Sequence, residues 1–371
     1  MRRLAKINYA YLSLTVAWMA AAWSGCAEPK SINSTTSASS SSSSSSGDGG
    51  AGGDIVIDMD GGSTGGNDGG DSGACVGTEA EARRVPVDIV FLIDRSSSMT
   101  GPKWDGTKSG LVTFFSDAAS AGLGVGMVFF PSQKPEICDP LSYSALDVPI
   151  ATLPGNSFDL TNAIPFSPLG TNTPTFPALK GALQAATAYQ DTHPTHKVVV
   201  VIATDGDPTS CPPVLIDDIA KLAQSARNYN GVRTYVIGVE GSNIANLDKI
   251  AAAGGTVTAY DITQNIAEFS AKMAEIRSEA LGCDYEIPEP PPGTQLDLDY
   301  VNFNYTPKGI GTPKILPRVD VVGDCGNLAG WYFDNNLGPQ KILLCPASCS
   351  TISADDTAKV AALFGCKTIT R

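Results

Sequence analysis

Short apolar runs separated by amphipathic stretches set the middle of the chain apart. Residues 87–93 read Val-Asp-Ile-Val-Phe-Leu-Ile, and similar runs recur at 125–130, 198–203, 232–239 and 256–260. Near-continuous hydrophobicity over so short a length predicts parallel strands covered on both faces. Between the runs, Leu215, Ile219, Leu222, Ala226 and Tyr229, and then Ile266, Phe269, Met273, Ile276 and Ala280, recur at spacings of three and four. Each set makes one apolar stripe on a helix. Strand and helix alternating over some 200 residues predict an α/β fold, a doubly wound and mostly parallel sheet flanked by helices.

The pattern changes on both sides of this region. Residues 26–74 are mostly Ser, Gly and Asp and contain too little apolar surface to offset chain entropy, which predicts a tether. Ahead of it, Arg2, Arg3 and Lys6 precede an uncharged apolar stretch over 7–23 that ends in Ser24-Gly25-Cys26, the pattern of a secretory signal. On the other side, the proline-rich residues 285–293 predict a stiff spacer. Beyond it, Leu296, Leu298 and Tyr300 alternate with polar residues and Val301, Phe303 and Tyr305 continue in the other phase, as in a strand with a bulge. Trp331-Tyr332-Phe333 and residues 341–344 flank Asn335-Asn336-Leu337-Gly338 as in a hairpin. The expected organisation is a signal over 1–25, a tether over 26–74, an α/β domain over 75–284, a spacer over 285–293 and a small, disulfide-rich β module over 294–371.

Charge and cysteine count narrow the function. The 371 residues hold 38 acidic and 25 basic side chains, a net charge of −13, opposite in sign to what binding nucleic acid requires. Nine cysteines without a Cys-x2-Cys pair predict disulfides and an extracytoplasmic location. Apart from Cys26, which closes the signal pattern, the remaining eight are even in number. Cys75 and Cys283 bracket the α/β domain and are expected to pair. Cys138 and Cys211 both follow strand ends on one edge of the sheet and are expected to pair as well. Cys325, Cys345, Cys349 and Cys366 allow three connectivities, and the hairpin register favours Cys325 with Cys349, leaving Cys345 with Cys366.

Open α/β sheets bind ligands beyond the carboxyl ends of their strands. There the chain places Asp94-Arg95-Ser96-Ser97-Ser98 after the first strand and Thr204-Asp205-Gly206 after the run at 198–203, with Leu169-Gly170-Thr171 in a polar turn before a helix capped by Thr175. Carboxylate and hydroxyl oxygens suit Mg²⁺, Mn²⁺ or Ca²⁺ and not zinc. Asp94, Ser96, Ser98, Thr171 and Asp205 match, in order and context, the metal-ion-dependent adhesion site of von Willebrand factor A domains, which the chain resembles over about residues 85–282. The resemblance implies a divalent ion held by the serines and threonine, with the aspartates bound directly or through water. It also implies a protein or other extracellular macromolecule as partner, completing the shell with an acidic residue. The Ser-Gly-Cys ending resembles a bacterial lipobox, which implies lipidation of Cys26 and attachment to an envelope membrane at the outer membrane or cell surface. The tail resembles segments that accompany such domains in bacterial lipoproteins, and no activity follows from that.

Other signals lead elsewhere. Residues 101–109 nearly spell a phosphate-binding loop, but Lys108 does not directly follow Gly106, and one position turns a helical side chain by about 100°. His193 and His196 read as a solvated loop before a strand, Arg95 as surface charge, and the aromatic triplet as packing. Neither a nucleophile elbow nor a supported Cys-His pair occurs, so the chain is expected not to be an enzyme. The leading expectation is an envelope lipoprotein that adheres or recruits through its metal, and the alternative is a scaffold or sensor that binds through its tail.

Overall fold

The computed structural model describes residues 54–57 and 75–371, apart from Pro135, Pro291, Thr294 and Asp356. At its centre is a six-stranded sheet of β3 (Val87–Asp94), β4 (Gly124–Phe130), β5 (Val148–Thr152), β6 (Lys197–Thr204), β7 (Arg233–Val239) and β8 (Tyr260–Ile262), in the order β5-β4-β3-β6-β7-β8. All neighbours run parallel except the edge strand β5. Every residue of β3 is buried, which explains its unbroken apolar run. Alternate β3 side chains enter two cores. Ile89, Phe91 and Ile93 face α1 (Pro102–Ser116) and α7 (Phe269–Leu281), while Val90 and Leu92 face α4 (Thr175–Thr192), α5 (Ile216–Asn230) and α6 (Ile244–Ala253).

The predicted stripes are partly used. Phe269, Met273, Ile276 and Ala280 of α7 are all buried. On α5, Ile219 and Ala226 are buried together with Ala223, whereas Leu215 (66 % exposed) and Tyr229 (85 %) face solvent at the ends of the element. The expected strand at 256–260 begins only at Tyr260. Thr175 is the first residue of α4, with Pro174 in the capping position. Among the described residues no helix is long and apolar enough to cross a membrane.

The second body of structure departs from the expected boundaries. β2 (Cys75–Glu81) pairs with β14 (Lys359–Phe364), near the end of the chain, and joins β1 (Asp54–Ile57), β10 (Val301–Thr306) and β11 (Lys314–Leu316) in a five-stranded sheet. A strand thus lies within the expected tether. β9 (Asp284–Glu286) falls where the α/β domain and spacer were expected to meet, and pairs with β13 (Lys341–Leu344), which forms the predicted hairpin with β12 (Trp331–Phe333). The bulge expected near Tyr300 is a single 3-10 turn, Leu298–Tyr300, before β10. Trp331 and Phe333 are buried in this core with Tyr285 and Phe303.

Three disulfides have named partners among the described residues, and one matches expectation, Cys138–Cys211 with Cα atoms 5.2 Å apart. Cys283 does not pair with Cys75 but with Cys349 on α8 (Pro346–Ser353), 5.5 Å between Cα atoms. The reason is the β9–β13 ladder. Leu343 lies opposite Asp284 and the Leu344 N–H donates to the Cys283 carbonyl, so Cys283 is drawn beside the tail. Cys325 pairs with Cys345 rather than Cys349, because the Cys345 N–H bonds Gly330 O and sets this residue against the loop that follows Cys325. Cys366, expected with Cys345, is disulfide-bonded without it. Cys26 lies outside the described residues.

Candidate metal centre

The strand order reverses at β3, whose neighbours β4 and β6 are reached by crossovers to opposite sides. The carboxyl ends of β3 and β6 therefore diverge around a crevice. Asp94 is the last residue of β3, and Asp205 follows Thr204, the last residue of β6. A short 3-10 turn, Ser97–Met99, carries Ser98 back over the crevice. The loop before α4 reaches the same edge through its backbone, since Ser96 forms a bridge with Gly170 and the Ser97 N–H donates to Gly170 O (2.6 Å).

Four of the five predicted side chains join one hydrogen-bonded group. The Ser98 hydroxyl donates to Asp205 Oδ1 (2.8 Å) and lies 2.9 Å from the Ser96 hydroxyl. Ser98 has a single proton, so Ser96 supplies the bond between the two hydroxyls. The Ser96 N–H donates to Asp94 Oδ1 (2.8 Å), and the Thr204 hydroxyl donates to Asp94 Oδ2 (2.6 Å). Thr171 stands next to Gly170 on the same edge, exposed, and its side chain joins none of these bonds.

The electrostatics of the two carboxylates differ. Asp94 is fully buried, and burial pushes its carboxyl up to about 6 against the lowering effect of its hydrogen bonds from Thr204 and Ser96; the nearby Asp205 raises it further. Among the described residues no cation pairs with Asp94. Arg95 turns away, donating from Nε to Pro131 O (2.9 Å) beneath the Phe129 ring. It is 6 % exposed, a buried brace between β3 and the end of β4, not the surface charge its motif position suggested. Burial lowers its guanidinium from the ordinary value. Asp205, equally buried, does have a cation, with Lys103 Nζ 2.7 Å from its Oδ2.

This donor set fits a hard divalent ion. The Asp94 oxygens each accept a hydrogen bond and keep a further lone pair, the two hydroxyls lie beside them, and a buried carboxylate without a countercharge is relieved by a cation. Among the described residues no three His, Cys, Asp or Glu side chains gather into a metal-binding group, so hydroxyl and carboxylate oxygens define the chemistry here. The model of the von Willebrand factor type A domain matches residues 88–272, a span that includes both carboxylates and the turn between them. Residues 88–272 are a von Willebrand factor type A domain. No curated protein matches the chain. Such A domains commonly serve protein–protein interaction and adhesion, often in a metal-dependent way.

Two bonds hold the remaining loop of the A domain in place. The Thr173 N–H donates to the Thr209 hydroxyl (2.9 Å), and the Thr209 N–H returns a bond to Thr173 O (3.2 Å), which ties the Thr171 loop to the one after Asp205. Cys211 holds a left-handed φ of 61° within that second loop and is linked to Cys138. Lys103 and Thr204 were not singled out in the sequence. Thr204 stood inside the quoted Thr-Asp-Gly motif, and Lys103 inside the near-miss phosphate loop. The far pole holds another surprise: His196 Nδ1 meets the buried carboxylate of Asp88 at 2.7 Å, so the solvated loop has an acidic partner.

Proposed function

We propose that the A domain binds a macromolecular partner through a divalent ion, Mg²⁺ by the hardness of its donors, seated by Asp94, Ser96, Ser98, Thr171 and Asp205. The observation that supports this most is the fully buried Asp94 carboxylate, uncompensated by any cation among the described residues, at the edge where the two serine hydroxyls and Asp205 converge. When bound, the ion supplies a Lewis-acidic position for an acidic residue of the partner. The chain's own residues orient the oxygens and exclude water from Asp94. Leu169, half exposed, and Phe166, 91 % exposed, lie on the Thr171 loop and offer apolar contact beside such an anchor.

The reading extends to the whole protein as an envelope lipoprotein, attached through Cys26, that adheres or recruits and has no catalytic role. The test is capture from envelope extract by the immobilised protein. A partner retained in Mg²⁺, released by chelator and lost in Asp94→Ala supports the reading. Retention that is indifferent to chelator and to Asp94→Ala transfers binding to another surface, the tail first.

A further inference from the structure

Lys103 is out of place by local rules. It is the second residue of α1, where the positive end of the helix dipole opposes a cation. Asp105 is the acidic residue of that first turn, but the ion pair of Lys103 is made across the crevice. Its Nζ lies 2.7 Å from Asp205 Oδ2, with the Lys103 side chain 21 % exposed and that of Asp205 1 % exposed. Gly241, at a φ of 98°, closes over the pair. A Cβ at that position would come within 3.0 Å of Asp205 O and 3.4 Å of Lys103 Nζ, so the space beside the ammonium is reserved by the absence of a side chain. Both oxygens of Asp205 are thereby engaged, Oδ1 by Ser98 and Oδ2 by Lys103, while Asp94 has only neutral donors.

We infer that Lys103 is a built-in competitor of the divalent ion, an inference that rests on the metal reading above. The ammonium neutralises Asp205 when the ion is absent and remains beside it when the ion is present. Two carboxylates alone would cancel a divalent charge. With Lys103 retained, the loaded site keeps a net positive charge, which weakens the hold on the ion and favours an anionic group from a partner. Lys103 is thus a positioning residue that trades ion affinity for readiness to accept an acid.

The experiment uses the full chain, stripped with chelator and titrated calorimetrically with Mg²⁺ and with Mn²⁺, as wild type, Lys103→Met and Lys103→Arg. The Met variant is expected to bind the ion about tenfold more tightly than wild type, because it loses a repulsive unit charge in a partly buried setting, and the Arg variant is expected to bind like wild type. Thermal unfolding gives a second readout. Without ion the Met variant melts below wild type, since a buried carboxylate is left unpaired, and saturating ion raises its melting temperature by more than it raises that of wild type. Equal or weaker ion binding by the Met variant overturns the inference, as does equal tightening by Met and Arg. If wild type itself takes up no ion, the metal reading fails first and the inference falls with it. Binding by wild type with no effect of Lys103→Met refutes the inference alone.

Discussion

Asp94 carries the pH dependence of the site. Its carboxyl is raised to about 6 in the fold against an ordinary 3.8, so the fold favours the protonated acid, and the associated stability is full below about pH 4 and lost as pH rises through 6. At one unit per ~1.4 kcal/mol the loss in the ion-free protein is about 3 kcal/mol. Chemical denaturation in chelator between pH 4 and 7 should show that decline, and Asp94→Asn should flatten it. A decline unchanged in Asp94→Asn would assign it to another group, Asp88 first, whose carboxyl burial also raises. The same residues show what a sequence can and cannot convey. Asp94, Ser96, Ser98 and Asp205 could be brought together because they end β3 or lie just after β3 and β6, so their positions come with the fold, whereas Thr171 sits in the loop between two helices and its side chain stays apart. Arg95 was misread because a charged residue beside a motif looks solvent-facing, whereas its guanidinium lies over the Phe129 ring and its Nε finds a backbone carbonyl 36 positions away. Lys103 and Thr204 were silent for a related reason, since their partners lie 102 and 110 residues distant and no local pattern announces such a pair.

At the scale of elements, the loops around the site are braced more heavily than the strands require. Cys138–Cys211 closes a separation of 73 residues, for which the chain-entropy model gives about 4 kcal/mol. Replacing both cysteines by serine should lower unfolding stability by about that amount and also weaken Mg²⁺ binding, because the Asp205 loop loses its left-handed anchor at Cys211; denaturant titration and calorimetry read the two effects separately. Gly170 is a second brace. A Cβ there would sit 2.0 Å from the Pro131 ring, so Gly170→Ala should push the Thr171 loop off the edge and cost ion affinity while the sheet stays folded by circular dichroism. Central strands and α7 were legible because a fully buried run and a stripe each have one period. The edge strand β5 was not, since only Val148 of its five residues is buried and the other four are exposed or half-exposed. Cysteine pairing was legible only where both partners leave the same sheet edge. Cys283 looked terminal in sequence, but the β9–β13 ladder places it beside α8.

For the whole molecule, the expected boundaries failed because strands from both sides of the A domain join the tail, β2 before it in the five-stranded sheet with β14 and β9 after it in the three-stranded sheet with β13. A proteolytic cut in the proline-rich segment 287–293 should therefore leave both fragments together in native gels, and Cys283–Cys349 should hold them as one band in denaturing gels until reductant is added. Metabolic labelling with a fatty-acid analogue should mark the protein, and Cys26→Ala should abolish the label. β9 of the three-stranded sheet meets the A domain at the amino end of β3, where the Val85 N–H bonds Asp284 O, and the edge with Asp94 and Asp205 lies at the opposite end. That arrangement has a mechanical meaning. A pull between the amino-terminal side and a partner gripped at Asp94 enters the described fold at β1 and its ladder with β2, meets the ladder of β2 with β14 from Glu81 opposite Ala361 to Thr78 opposite Phe364, and then runs the full length of β3, which is bonded on both sides. Tension is thus borne by successive ladders before it reaches the grip, and the loops proposed to seat the ion are the last of these parts to feel it.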